Sequence, residues 1–343
     1  MAPTSGEGGQ AGSAAVTSGA GGASPRDILD TSLTVDLATE SAIATLTFAP
    51  TGAARVALEV GDLLVRRVHS NDLPSTWLQE GARLELDVPP SARPPVVTIE
   101  YDFAVRTGMS GVSASYTYSW PYFCGNVFPC NSQPADGGTF HLSLSGARAT
   151  AIYPRTIATD APAYMPAWAV GDYTRLDLGT TLAGTQVSVW HLPGGEAQAR
   201  TGAIHLRSAF EWMEQRLGTY RFGNEVGSVA VPWEEGSGGM EHHPYWHVAE
   251  SSMSDVSVHV HEAVHGWFGN GVRLRCWEDF VLSEGTVSYL TARLIGELGD
   301  VAGSRRVWAG YEAELARFDA RPVNIAWPQS CGDVDVLEDG LFS

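Results

Sequence analysis

His261-Glu262-Ala263-Val264-His265 sets two histidines four positions apart around a glutamate. On a helix, positions i and i+4 share a face, so both imidazoles reach one ion with Glu262 beside it. Such nitrogen donors, with a carboxylate oxygen, suit zinc, and a catalytic zinc takes three protein ligands and leaves its fourth position to water. The third ligand must come from outside the motif, and Glu284 supplies it, with residues 266–283 in between. That gap lets one helix end, the chain turn and a second helix present its first turns. The set predicts one zinc ion per chain, held by His261, His265 and Glu284. Glu262 is then the general base, taking a proton from water and passing it to the leaving group. His259 precedes the motif by two residues, falls off the ligand face and is expected to be structural. A purely structural zinc site closes all four positions and needs no base, so Glu262 argues against a silent zinc-bearing binding module.

Two kinds of segment have to position these groups. Period-two runs such as Ser32-Leu33-Thr34-Val35-Asp36-Leu37, Ala42 to Phe48, Val56 to Val60 and Pro95 to Tyr101 read as half-buried antiparallel strands between Gly and Pro turns. Phe140 to Leu144 and Gln186 to Trp190 repeat the texture, with an aromatic, Gly-rich stretch from Tyr116 to Gly138 between the halves. From about Gly195 the period changes. Helices are expected over Ala203–Leu217, Asp255–Phe268, Leu282–Leu298 and Arg305–Phe318, with a strand from Val226 to Val231. The expected division is a flexible Gly/Ala/Ser-rich tether over 1–27, an all-β domain over 28–194 and an α-rich domain over 195–343. The fold class is therefore α+β and multidomain.

Composition bounds the partners. Of 343 residues, 44% are hydrophobic and 17% charged, which is globular usage. The net charge is −18 and all 21 basic residues are arginine, so the acidic surface repels phosphate backbones and no nucleic-acid partner is expected. No run approaches the ~20 apolar residues of a membrane span. Cys124, Cys130, Cys276 and Cys331 suit two disulfides, Cys124–Cys130 and Cys276–Cys331, which favours an exported or surface-tethered, extracytoplasmic protein. Four free buried thiols in a cytoplasmic protein are the alternative.

The metal motif continues as His261-Glu262-Ala263-Val264-His265-Gly266-Trp267-Phe268-Gly269-Asn270, then Trp277-Glu278-Asp279 and Leu282-Ser283-Glu284-Gly285. Upstream stand Gly238-Gly239-Met240-Glu241-His242, Tyr220-Arg221-Phe222 and Phe128-Pro129-Cys130 with Pro134. In this order they resemble the aminopeptidase N family of zinc peptidases, which are gluzincins. The matching elements are H-E-x-x-H-x-W-F-G-N, W-x-D, L-x-E-G, G-x-M-E-N, Y-P-F and F-P-C. The resemblance implies a saddle-like β domain on a thermolysin-like catalytic domain, acting on peptides with a free N-terminus. It also gives Glu241 the substrate's α-amine and runs Gly238, Gly239 and Met240 beside the peptide like an edge strand.

Several residues depart from the family pattern. His242 stands for its Asn, with His243 and His247 close by, and Ser132 and Gln133 replace an acidic pair. The stretch Tyr118-Ser119-Trp120-Pro121-Tyr122 lacks the amide or carboxylate that often gives a second amine contact, and Cys276 replaces a tryptophan. The family's oxyanion-binding Tyr lies about sixty or more residues beyond the third ligand, and Tyr289 and Tyr311 come too early for it. The catalytic domain is thus expected to be truncated at the C-terminus and weakly active. The resemblance also admits a related epoxide hydrolase/aminopeptidase.

Overall fold

Alternating apolar residues build the first half of the chain in the computed structural model, which describes residues 26–233 and 238–319. The largest sheet orders its seven strands as β13 (Thr156–Ala161), β11 (Gly138–Ser145), β1 (Ile28–Asp36), β2 (Ser41–Phe48), β8 (Val96–Asp102), β4 (Leu64–Ser70) and β5 (Leu73–Pro74). Leu33 and Val35, Ala44 and Leu46, and Val97, Ile99 and Tyr101 point to one side and are buried there, while their neighbours stay partly wet. Each buried Leu, Val or Ile contributes about 1.5–3 kcal/mol. A one-residue slip of β2 against β8 would turn that whole set outward, so the pairing of Ala44 with Ile99 is strongly specified. A three-stranded sheet of β3 (Arg55–Glu59), β7 (Arg83–Asp87) and β6 (Trp77–Glu80) adds Val56, Leu58, Leu84 and Leu86 to the same core. Two small ladders, β9 (Gly111–Val112) with β10 (Thr117–Tyr118) and β12 (Thr150–Ile152) with β14 (Ala169–Gly171), complete this half.

The second sheet runs β15 (Thr174–Thr180), β16 (Gln186–His191), β17 (Glu225–Val231), β19 (Tyr245–Ala249) and β18 (Gly239–Met240). Its middle strands are parallel and β18 is an antiparallel edge. Parallel strands are covered on both faces and lose their alternation, as β17 does with Val226 to Val231 all buried. The helices are α1 (Glu196–Gly202), α2 (Leu206–Leu217), α3 (Val256–Val264), α4 (Phe280–Glu297) and α5 (Val301–Asp319). One expectation changes here: β15 and β16 read as part of the all-β domain ending at 194, yet they hydrogen-bond into the helix-flanked sheet. A boundary at 194 therefore cuts that sheet, and the partition between the sheet systems falls after β14.

Cys124 and Cys130 form a disulfide, so free thiols do not hold for this pair. Cys276 is also disulfide-bonded, and its expected partner Cys331 lies outside the described residues, as does most of the tether over 1–27. Across the two sheet systems, Arg273 binds Asp160 through two nitrogens at 2.7 Å each. Among the described residues no helix is long and apolar enough to cross a membrane.

Candidate active site

Helix α3 is capped by Asp255, whose carboxylate accepts from the Ser257 amide at 2.8 Å in a first turn otherwise short of acceptors. His259 lies on its sheet-facing side and donates from Nε2 to the Met253 carbonyl at 3.0 Å. Its Nδ1 therefore accepts from Ser228 Oγ at 2.7 Å, and Ser228 in turn accepts from Trp246 Nε1 at 2.7 Å. This buried chain ties α3 to β17 and β19, and gives His259 a purely structural place.

The opposite side of α3 meets α4. His261 Nε2 stands 3.2 Å from Glu284 Oε2, His265 Nε2 3.1 Å from His261 Nε2, and His265 Nε2 3.4 Å from Glu284 Oε1. His265 donates from Nδ1 to the Phe268 carbonyl at 3.1 Å, which leaves a lone pair on Nε2 directed at the other two. Tetrahedral bonds of about 2.0–2.1 Å would hold ligand atoms roughly 3.3–3.4 Å apart, so this donor set and spacing fit zinc. Glu241 and Glu262 each bring a carboxylate oxygen within 4.8 Å of each other and of His265.

Three acids so close repel one another. Burial above all pushes Glu262 up to about 8, against the pull of His261 and with a lesser push from the Glu284 charge. Burial, then the charges of Glu284 and Glu262, holds Glu241 well above the ordinary carboxylate range. Burial would raise Glu284 as well, but His265 and His261 outweigh it and bring it down to about 2. Burial lowers His265 to about 4, while His261 is raised because Glu284 and Glu262 outweigh its own burial.

Edge strand β18 runs beside α3. A side chain at Gly239 would put its Cβ 2.5 Å from Glu262 Cγ and 2.6 Å from Oε1, so only glycine lets the strand pass this close. Gly238 is anchored by its amide to Ser252 Oγ at 2.7 Å, and Met240 is buried. Glu241 follows, its backbone carbonyl accepting from Asn270 Nδ2 at 2.9 Å. His242 is buried and donates from Nδ1 to the Tyr164 carbonyl at 2.8 Å.

Asn270 closes the motif that begins at His261, yet neither its residue type nor its spacing gives it a role in the sequence. The same holds for Tyr118 and Tyr164, two buried tyrosines of the β half close enough to the acids to feel their charge. Burial first, then Glu241 and Glu262 for Tyr118 and Glu241 and Glu284 for Tyr164, holds both phenols well above their usual range. Tyr118 did stand out as part of an aromatic stretch; no signal in the sequence marked Tyr164.

Residues 237–321 match the peptidase family M1 domain. The chain is 24% identical over 247 residues to leucine aminopeptidase 2-2 of Scheffersomyces stipitis, covering 63% of this chain and 37% of that protein. It is 24% identical over 200 residues to glutamyl aminopeptidase of Rattus norvegicus, covering 47% and 20%. The chain thus spans well under half the length of these curated relatives. Among solved structures it resembles an M1 zinc metallopeptidase from Deinococcus radiodurans, with TM-score 0.71, 21% identity and coverage of 88% of this chain and 76% of that one. It also resembles yeast LTA4 hydrolase, at TM-score 0.71 and 18% identity, over 86% and 53%.

Proposed function

We propose, from the match of residues 237–321 to the peptidase family M1 domain, that the protein is a zinc-dependent aminopeptidase, releasing residues from the free N-termini of peptides. The supporting observation is the convergence of His261, His265 and Glu284 at metal-ligand spacing, with Glu262 and Glu241 beside them. When bound there, zinc supplies Lewis acidity, making water acidic near neutral pH and polarising a carbonyl. Glu262 takes a proton from the attacking water and delivers it to the departing nitrogen as the peptide bond breaks. Glu241 receives the substrate's ammonium. Positive charge is what a buried trio of acids lacks, so a dication and an ammonium both relieve their repulsion.

Gly239 on the edge of β18 offers backbone groups to an extended peptide, while Gly238 just before it, its amide on Ser252 Oγ and its carbonyl taken by the Ala249 amide, holds the strand in place, and the missing side chains allow close approach. Glu241 then fixes the register, admitting a chain end and refusing internal sequence. We read the two sheet systems as the saddle-like and thermolysin-like domains that the family resemblance implies. A solved mutant of the Deinococcus protein is described as bound to a Tyr-Ser-Ala substrate, in keeping with a short peptide ligand.

Amino-acid amidomethylcoumarins, each paired with its N-acetylated twin, test the reading on zinc-loaded protein and on Glu262→Gln. Cleavage of free-amine substrates alone, lost in the variant, is the expected result. Equal cleavage of the acetylated twins would remove Glu241 from its role and indicate an endopeptidase. Zinc binding without turnover would leave a zinc-bearing peptide-binding module.

A further inference from the structure

We propose that His243, held by Tyr220, is a positioning residue that fixes the last turn of the metal helix through the backbone carbonyl of Glu262. His243 Nε2 lies 2.7 Å from that carbonyl oxygen, and Tyr220 Oη lies 2.8 Å from His243 Nδ1. A carbonyl can only accept, so the proton sits on Nε2 and the Nδ1 lone pair receives the tyrosine hydroxyl. The donors therefore run from Tyr220 to His243 to Glu262, across three separate stretches of chain. Tyr220 lies between α2 and β17, His243 between β18 and β19, and Glu262 on α3. All three are buried, His243 completely.

This carbonyl needs an outside donor for a definite reason. The Gly266 amide, which a continuing α-helix would give to Glu262, bonds to Ala263 at 3.2 Å as α3 ends. A carbonyl at a buried helix end without a partner costs about 1–3 kcal/mol. His243 satisfies it at the one turn that bears His261, Glu262 and His265. The fit is close. A Cβ at Gly266 would stand 2.9 Å from His243 Cε1 and 2.9 Å from Tyr220 Cε2, so both rings lie flush on that glycine. Trp246 also packs against His243, at 4.8 Å between ring centroids.

The consequence is orientational. The Glu262 carboxylate already touches the backbone of Gly239, so it has little room to compensate if its own backbone shifts. The catalytic half of this inference rests on the metallo-aminopeptidase reading, and the zinc half rests on the geometry alone.

The test uses the full chain with three substitutions: His243→Phe, which keeps a ring without a donor; His243→Gln, whose amide can reach the same carbonyl; and Tyr220→Phe, which removes one hydroxyl. Zinc affinity is read by competition with a chromogenic chelator, kcat and KM on the free-amine substrates, and folding by thermal melts. His243→Phe should bind zinc about tenfold more weakly and lose about tenfold in kcat with KM little changed, the low end of what ligand-orienting partners contribute. His243→Gln should recover most of both, and Tyr220→Phe should fall between.

Zinc affinity and kcat within about twofold of the parent in folded His243→Phe would overturn the proposal. So would a His243→Gln as impaired as His243→Phe, since that marks loss of packing rather than of a donor. If His243→Phe does not fold, Tyr220→Phe decides by the same two readouts. If the parent turns over no substrate, the functional reading fails separately, and the zinc-affinity ratio alone supports or overturns the positioning role.

Discussion

At the scale of single residues, the close approach of Gly239 to Glu262 gives the sharpest prediction. Gly239→Ala adds one carbon 2.6 Å from the Glu262 carboxylate and must displace it. A misplacement of about 1 Å costs roughly a hundredfold, so kcat should fall by about that factor with zinc binding retained. Steady-state kinetics beside metal analysis would check it. Glu241→Gln should instead raise KM for free-amine substrates and narrow their advantage over acetylated twins, because the ammonium loses its counter-charge. His261 and His265 could be paired from the sequence because helix geometry places i and i+4 on one face, whereas Glu284 stands on the next helix and was reached only through its distance along the chain. The parts played by Asn270 and His243 were not legible, because each acts on a backbone carbonyl that only tertiary folding brings to it.

At the scale of elements, β15 and β16 show what local pattern cannot say. Their alternation reports a strand, but pairing decides the domain, and the partner β17 lies beyond two intervening helices. The start of β1 yields a pH prediction. Burial and the neighbouring Asp27 carboxyl push Asp136 up to about 7. The folded state therefore binds a proton that the unfolded state releases near pH 4, and stability falls as pH rises between those values. Asp136→Asn should be more stable than the parent at pH 8 by about 1–2 kcal/mol, with the gain fading toward pH 4. Thermal melts across that range would show it, and a gain independent of pH would assign the effect to packing. Asp255→Ala should cost about 1 kcal/mol by uncapping α3, measured by denaturant unfolding.

At the scale of the whole molecule, charge and metal act together. Stripping zinc with phenanthroline should abolish turnover and lower the melting temperature, and added zinc should restore both. Zinc at a thousand times its Kd contributes about 4 kcal/mol. The change of hydrophobic period near Gly195 made the passage from sheets alone to mixed helices and strands legible. The way the β half reaches the site was less so, since Tyr164 contributes through burial next to the acids rather than through a spacing.

The edge position of β18 among the described residues has a consequence for which proteins the proposed aminopeptidase would trim. A ligand held as an added strand must first surrender any helix at its own beginning. Stable folded proteins, whose first residues are tucked in or coiled, would then be protected however well their end residue suits the site. Peptides already unravelled would be consumed first, and a hydrocarbon-stapled helical peptide should outlast its linear twin of the same sequence.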